Sequence, residues 1–406
     1  MNARRLSTPW RRISPWIRVT SFSMPPKPRE ASQCSTGPSL IRAACRRLRG
    51  CQPGHHRNMP RVNAAPRILI ARTDVVGDNV VSLPVAADLK AALPGCRIGW
   101  IAKASVAPLI RLDRNVDEVI EWNEFTSAQP LLPRLQGAWD AAVVLHPKPK
   151  RWSTLASVLR QARIPIRVGS GRRWWGLLLY THWVWQSRHT AGMHEAVRNR
   201  HHGRILLRAL GADQTVLQQP ARTGLTIPEA LLTAQRSWLG PIAGRFVVLH
   251  VGSNGSSVDW PLRNMAELAD RLAGRDIPCL ISTGFRRPDL ETQMRSLSRC
   301  EHRYTDPELP LPDLCALIQL SSCVVANSTG MLHVAGGLGV RSVGLFPNMK
   351  DCFPEQWGPI GDRSINLVAP PPPGGTYPKR GMASPDHMAG IPVEQVEAAV
   401  LKQVAG

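Results

Sequence analysis

The sequence predicts an α/β protein built from two doubly wound parallel sheets in tandem. Three observations predict it. From Arg67 onward, short and continuously apolar runs alternate with longer amphipathic stretches. The alternation lapses over a polar stretch reaching to about Ile242 and then restarts. A chain of 406 residues is also longer than one compact core usually organises. Strands that are apolar throughout are those buried on both faces, as in a parallel sheet covered by helices.

In order, residues 67–71 read as the first strand and 79–93 as a helix closed by Pro94-Gly95. Residues 97–102, 119–121 and 141–145 are further strands, and 204–210 a helix ending at Gly211. After the polar stretch, residues 246–251 restart the pattern as a strand, followed by a Gly/Ser loop and a helix opening at Trp260-Pro261. Residues 278–282 are a strand, a helix starts near Pro288, and 311–320 are helical. Residues 323–326 and 342–346 are strands, 370–375 a loop and 393–404 a closing helix. The expected division is a leader over 1–66, an N-terminal domain over 67–235 and a C-terminal domain over 236–406.

The formal charge of +22 suggests a nucleic-acid binder until it is located. Thirteen Lys/Arg against the single acid Glu30 precede Pro66, in a segment rich in Pro and Ser without a sustained apolar period. Such a segment is expected to be disordered. It reads as a nucleic-acid or membrane arm, as a transit peptide, or, the reading adopted here, as sequence upstream of a start at Met59 or Met24. Without it the charge falls to roughly +10, which suits an acidic partner other than nucleic acid. No apolar run is long enough to span a bilayer. The nine cysteines are scattered without C-x-x-C spacing, which argues against a zinc site or a disulfide framework and for a reducing compartment.

Three loops carry the candidate chemistry. In 324–335 an apolar strand stops at Ser328, Thr329 and Gly330 and continues as a helix containing His333. Free amides at a helix start, beside hydroxyls, hold phosphate oxygens well; the alternative is an ordinary capped turn. The loop Gly252-Ser253-Asn254-Gly255-Ser256-Ser257 is a second set of donors, matching neither a Walker loop nor G-x-G-x-x-G. The third loop presents Gly77-Asp78, where Asp78 is either an N-cap or a carboxylate facing the cleft as a general base. His333 is either a satisfied first-turn histidine or a donor to a leaving diphosphate. With no Asp-x-Asp pair, nothing suggests a divalent metal.

Together, Gly77-Asp78 with Leu83-Pro84, His250-Val251-Gly252-Ser253, Trp260-Pro261 and Ser328-Thr329-Gly330-Met331-Leu332-His333 resemble glycosyltransferase family 9, the ADP-heptose:lipopolysaccharide heptosyltransferases. Trp139-Asp140, and His194-Glu195 with Asn199 ahead of Leu210-Gly211, match further landmarks. The resemblance implies a GT-B fold of two facing Rossmann-like domains. It implies inverting, metal-independent transfer of a heptose from a nucleotide-sugar donor to the lipopolysaccharide inner core, without a cofactor. Asp78 would be the base, Gly252 and Ser253 would face the nucleotide diphosphate, and Ser328, Thr329, Gly330 and His333 would hold the diphosphate and the sugar; Ser256, Ser257 or an arginine such as Arg286 would offset the cation missing at Val258. Ser328 stands where the family places an aspartate, and Val258 where it places a lysine, so a different nucleotide-sugar donor stays open.

The run from Arg172 and Arg173 through Trp174 and Trp175 to Trp185 is too short to span a bilayer. Arginines beside Trp-rich apolar surface suit either domain packing or a face for anionic membrane and a lipid-linked, phosphorylated saccharide acceptor. With the resemblance, this implies a cytoplasmic, peripheral location at the inner face of a bacterial inner membrane. An NAD-type oxidoreductase lacks its dinucleotide fingerprint here, and a nucleic-acid-binding protein lacks any recognition motif.

Overall fold

The computed structural model describes residues 65–122, 131–145, 154–172, 174–186, 192–253, 255, 257–284, 287–349, 352–371 and 386–405. All lie in one compact unit, Pro60–Gly406. The expected leader up to residue 64, Arg173, Ser256, Arg286 and most of the 370–375 loop fall outside the described residues.

The first sheet comprises β1 (Arg67–Ala71), β2 (Arg97–Ala102), β3 (Glu118–Glu121), β4 (Ala141–Val144), β5 (Ile166–Ser170) and β6 (His182–Val184), in the order β3-β2-β1-β4-β5-β6. The second comprises β7 (Val247–His250), β8 (Cys279–Ser282), β9 (Arg303–Tyr304), β10 (Cys323–Asn327), β11 (Ser342–Phe346) and β12 (Ser364–Val368), in the order β12-β11-β10-β7-β8-β9. Every strand pair is parallel. Counted from its own first strand, each sheet has the same doubly wound order. The order reverses between β1 and β4 and between β7 and β10, and crevices outside the strand carboxyl ends open at such reversals. All three candidate loops leave β1, β7 or β10. The sequence placed them at the two reversals.

Burial explains which strands were legible. Ile68, Leu69 and Ile70 in β1, and Val247, Val248 and Leu249 in β7, are fully buried, with apolar cores on both faces of each sheet. The stretch 79–93 is two helices rather than one. Helix α1 (Val76–Val80) begins three residues early, and Pro84 opens α2 (Pro84–Ala92), where its missing N–H costs nothing. The run after β5 contains α3 (Trp174–Leu179). Helix α4 (Glu195–Ala209) starts well before residue 204, its first turn capped by His194, whose Nδ1 accepts from the Ala196 amide at 3.1 Å. The expected boundary at 235/236 falls inside α5 (Glu229–Leu239). That helix buries Leu232 and Leu239 in the core shared with α7 (Leu311–Leu320), so it packs with the second sheet. Helix α6 (Leu262–Ala273) follows β7, α8 (Gly330–Gly337) follows β10, and α9 (Val393–Ala405) closes the chain.

Candidate active site

Asp78 sits inside the first turn of α1 and does not cap it; the N-cap position is Val75, with no side-chain cap. The Asp78 carboxylate instead accepts from Arg72 Nη2 at 2.7 Å. Arg72, at the carboxyl end of β1, is fully buried. Its Nε lies 3.1 Å from Asp74 Oδ2, and its Nη2 lies 3.6 Å from Glu195 Oε1 on α4. Burial disfavours the charged guanidinium, but Asp78, Asp74 and Glu195 outweigh that cost and raise its pKa above the ordinary value. The Asp78 carbonyl is held as well, accepting from Ser82 Oγ at 2.7 Å; Asn199 Nδ2 donates to that hydroxyl at 3.0 Å. Asp78 keeps partial exposure, 14% of its side chain, at the carboxyl end of the strand. It is a held carboxylate, partly exposed.

Across from it stand the loops of the second sheet. Gly252 takes a left-handed backbone, φ +82°, which turns the chain sharply after β7. Ser253 is buried and its hydroxyl donates to the Ser257 carbonyl at 2.9 Å, fastening the loop on itself. Asn327 ties this loop to the end of β10: its Oδ1 accepts from the Trp260 amide at 2.9 Å, and its Nδ2 donates to Asp259 at 3.3 Å. Thr329 is the N-cap residue of α8 but makes no side-chain cap bond. Its hydroxyl is buried without a hydrogen-bond partner, as are Ser257 Oγ, Thr283 Oγ1 and His333 Nδ1. Buried polar atoms are nearly always paired, and these four, beyond the ends of β7, β8 and β10, are placed where a polar ligand could pair with them. A free helix start and hydroxyl donors suit the oxygens of a diphosphate.

The two sets meet at a seam of glycines. A Cβ on Gly77 would lie 2.6 Å from His333 Cδ2, and one on Gly330 would lie 2.9 Å from Val76 Cβ. Helices α1 and α8 therefore touch start to start. His333 fills the seam, its ring edge-on to Trp357 at 6.5 Å between centroids. Burial and the nearby His194 push its imidazole down to about 4, against the pull of Asp78. His333 is neutral at pH 7 and offers at most one N–H, so it is no cation for a leaving diphosphate. Two polar ties span the same seam. His194 Nε2 donates to the Gly358 carbonyl at 2.9 Å, and Thr223 Oγ1 to the Gly337 carbonyl at 2.6 Å.

The family model described as glycosyltransferase family 9 (heptosyltransferase) matches residues 156–379, more than half of the chain. The chain belongs to glycosyltransferase family 9. A Haemophilus influenzae protein named only provisionally as a glycosyltransferase is 23% identical over 318 residues, covering 76% of this chain and 90% of that one. Among solved structures, the family 9 glycosyl transferase from Veillonella parvula aligns with a TM-score of 0.69 at 18% identity, over 84% of this chain and 97% of that one. E. coli ADP-heptose lps heptosyltransferase II gives 0.67 at 21%, over 84% and 98%. These structures share the GT-B-like fold of two parallel six-stranded sheets that the resemblance implied.

Within this glycosyltransferase the structure brings Asp78, Thr329, Gly330 and His333 to one seam, with Ser253 and Ser257 on the loop tied to it through Asn327. Ser328 is half-buried at the same turn, its amide bonded to the Leu345 carbonyl at 3.0 Å. The aromatic run lies elsewhere, at β5 and the edge strand β6. Trp174 and Leu178 on α3 and Trp185 after β6 are about three-fifths exposed, at 61%, 59% and 62%. Arg172 is exposed beside them. Trp175 is half-buried and packs on the core beneath, because a helix lying on a sheet must bury one side. Sequence reasoning missed Arg72 as a site residue. Its signal was a charged residue at the end of an otherwise apolar strand.

Proposed function

We propose that this glycosyltransferase transfers a heptose from ADP-heptose to the lipopolysaccharide inner core, with inversion and without a metal ion. The observation that carries the reading is a held carboxylate facing a helix start lined with unpartnered buried hydroxyls. In one displacement the acceptor oxygen bonds to C1 of the sugar as the bond from C1 to the diphosphate oxygen breaks. Asp78 takes the acceptor proton. The departing diphosphate is met by the amides opening α8 and by Thr329 and Ser257, with Gly252, Ser253, Ser256, Ser328 and His333 completing the donor site. The fold-mate E. coli heptosyltransferase WaaC has been solved with ADP and with ADP-2-deoxy-2-fluoro heptose, which supports an adenine nucleotide. ADP is expected to raise the melting temperature more than UDP, GDP or CDP at equal concentration, since a ligand of the native state stabilises it by mass action. Transfer is expected to continue in excess EDTA. Inhibition by EDTA that added Mg²⁺ reverses would overturn the proposed leaving-group stabilisation.

A second reading keeps the reaction and changes the donor. It rests on Val258 and Ser328, where the resemblance places a lysine and an aspartate, and on the carboxylate of Asp259 beside Asn327. A clear preference for another nucleotide in the same panel would select it.

The acceptor is read as a lipid-linked, phosphorylated saccharide presented at the cytoplasmic face of the membrane. Residues 141–194 contain nine Lys/Arg and no acid, and this stretch carries the exposed Trp174, Leu178 and Trp185. Arg160 donates to the Leu178 carbonyl at 3.1 Å and Arg167 to the Leu179 carbonyl at 2.8 Å, holding the end of α3 while its apolar side faces outward. Indoles at headgroup level with cations on phosphates are the chemistry of peripheral docking. No described helix is long and apolar enough to cross a membrane. The protein should co-sediment with vesicles containing anionic lipid and much less with neutral ones, and Trp174→Ala with Trp185→Ala should abolish the difference. Equal sedimentation of parent and double variant would remove this face.

A further inference from the structure

The buried charges behind Asp78 are more elaborate than a base alone requires. Two guanidinium groups, Arg72 and Arg198, face three carboxylates, Asp74, Asp78 and Glu195. Apart from Asp78, with 14% of its side chain exposed, these side chains are almost wholly inaccessible. Arg72 therefore cannot touch substrate. It can only act through the groups it holds.

The contacts form a closed ring. Arg72 Nη2 donates to Asp78; the Asp78 carbonyl accepts from Ser82 Oγ; Asn199 Nδ2 donates to Ser82 Oγ; and Asn199 Oδ1 accepts from Arg72 Nη1 at 3.5 Å. Both the side chain and the main chain of Asp78 are thus fixed by β1 and α4. Glu195 shares Arg72 and is itself held by Arg198 at 2.5 Å. A buried guanidinium beside a carboxylate fixes its orientation and favours its charged form.

We propose that Arg72 is the positioning residue for Asp78, with Glu195 setting how much of its charge Asp78 receives. This rests on the reading of Asp78 as the base. Because Arg72 is shared between Asp78 and the competing carboxylate Glu195, removing the cation and removing Glu195 have opposite-signed effects on Asp78, which a purely structural role for the cluster does not predict.

The test is the pH dependence of kcat in Arg72→Met, Arg72→Lys and Glu195→Gln, with nucleotide binding measured alongside. In Arg72→Met the acid limb should move up by about one pH unit or more, since a paired cation depresses a carboxylate pKa by that order. Its plateau kcat should fall roughly 10–100-fold through lost orientation, while KM for the donor holds. Arg72→Lys should lie between parent and Arg72→Met. Glu195→Gln should shift the limb the other way, because removing a nearby negative charge eases ionisation of Asp78. A folded Arg72→Met whose acid limb stays at the parent pH overturns the proposal. If Arg72→Met does not fold, a limb that stays put or rises in Glu195→Gln overturns it. The underlying reading fails separately: an Asp78→Asn enzyme that turns over normally removes the base, whatever the Arg72 profile shows.

Discussion

Replacing Asp78 by asparagine is expected to stop transfer while leaving nucleotide affinity close to that of the parent. The substitution exchanges one oxygen for an amide without changing shape, and the remaining amide oxygen can still accept from Arg72 Nη2, now at 2.7 Å from the carboxylate. The ring through Ser82 and Asn199 uses the Asp78 main chain and is untouched. What disappears is the ability to take the acceptor proton, typically worth about 10²–10⁴-fold in rate. The proposed donor site lies on the second sheet, so nucleotide binding measured by calorimetry should hardly move. Turnover near the parent rate would make Asp78 a structural anchor for Arg72 and nothing more.

The second large effect is expected from Gly330→Val. Position 330 opens α8, and a Cβ there already lies 2.9 Å from Val76 Cβ and 3.4 Å from the Gly77 amide nitrogen. Two further methyl groups must push α1 away or be forced over the helix start. Overpacking of this kind costs about 1–3 kcal/mol. It should lower transfer by at least two orders of magnitude, because both the seam and the phosphate approach are disturbed. Pairing the change with Val76→Ala separates the two causes. Removing the Val76 methyls should recover part of the thermal stability, since the Val76 Cβ remains, whereas nucleotide affinity should stay weak if phosphate approaches the α8 amides. Parent-like affinity in folded Gly330→Val would take the start of α8 out of the donor site.

Legibility followed burial and sequence distance. Strands β1, β2, β4, β7, β8, β10 and β11 are interior apolar runs covered on both faces, and the sequence marked each of them, together with the edge strand β3. Strand β5 carries Arg167 and Gly169, β6 and β9 are three and two residues long, and β12 alternates half-buried and exposed positions at the sheet edge. None leaves a continuous apolar signature. The candidate loops were visible because Gly, Ser and Thr interrupt apolar runs at strand ends. The network behind Asp78 was not, since Arg72 and Glu195 come together only when α4 packs against the first sheet. The seam was equally hidden: nothing near Gly77 announces that His333 will fill the space its missing side chain leaves. Arg173 and Ser256 lie outside the described residues.

The polar ties across the seam end on main-chain carbonyls of the second half, those of Gly337 and Gly358. A carbonyl is offered by every residue type, so these ties survive drift in the side chains of the half that provides them. The halves also meet through apolar side chains: Val80 and Leu109 share a core with Leu314, Leu317 and Leu332, while Gly77 and Gly330 keep the seam between them narrow. A second half taken from a related enzyme would have to keep glycine at the place of Gly330, a carbonyl at the right height and an apolar face. Residues away from that surface can then change without rebuilding the joint.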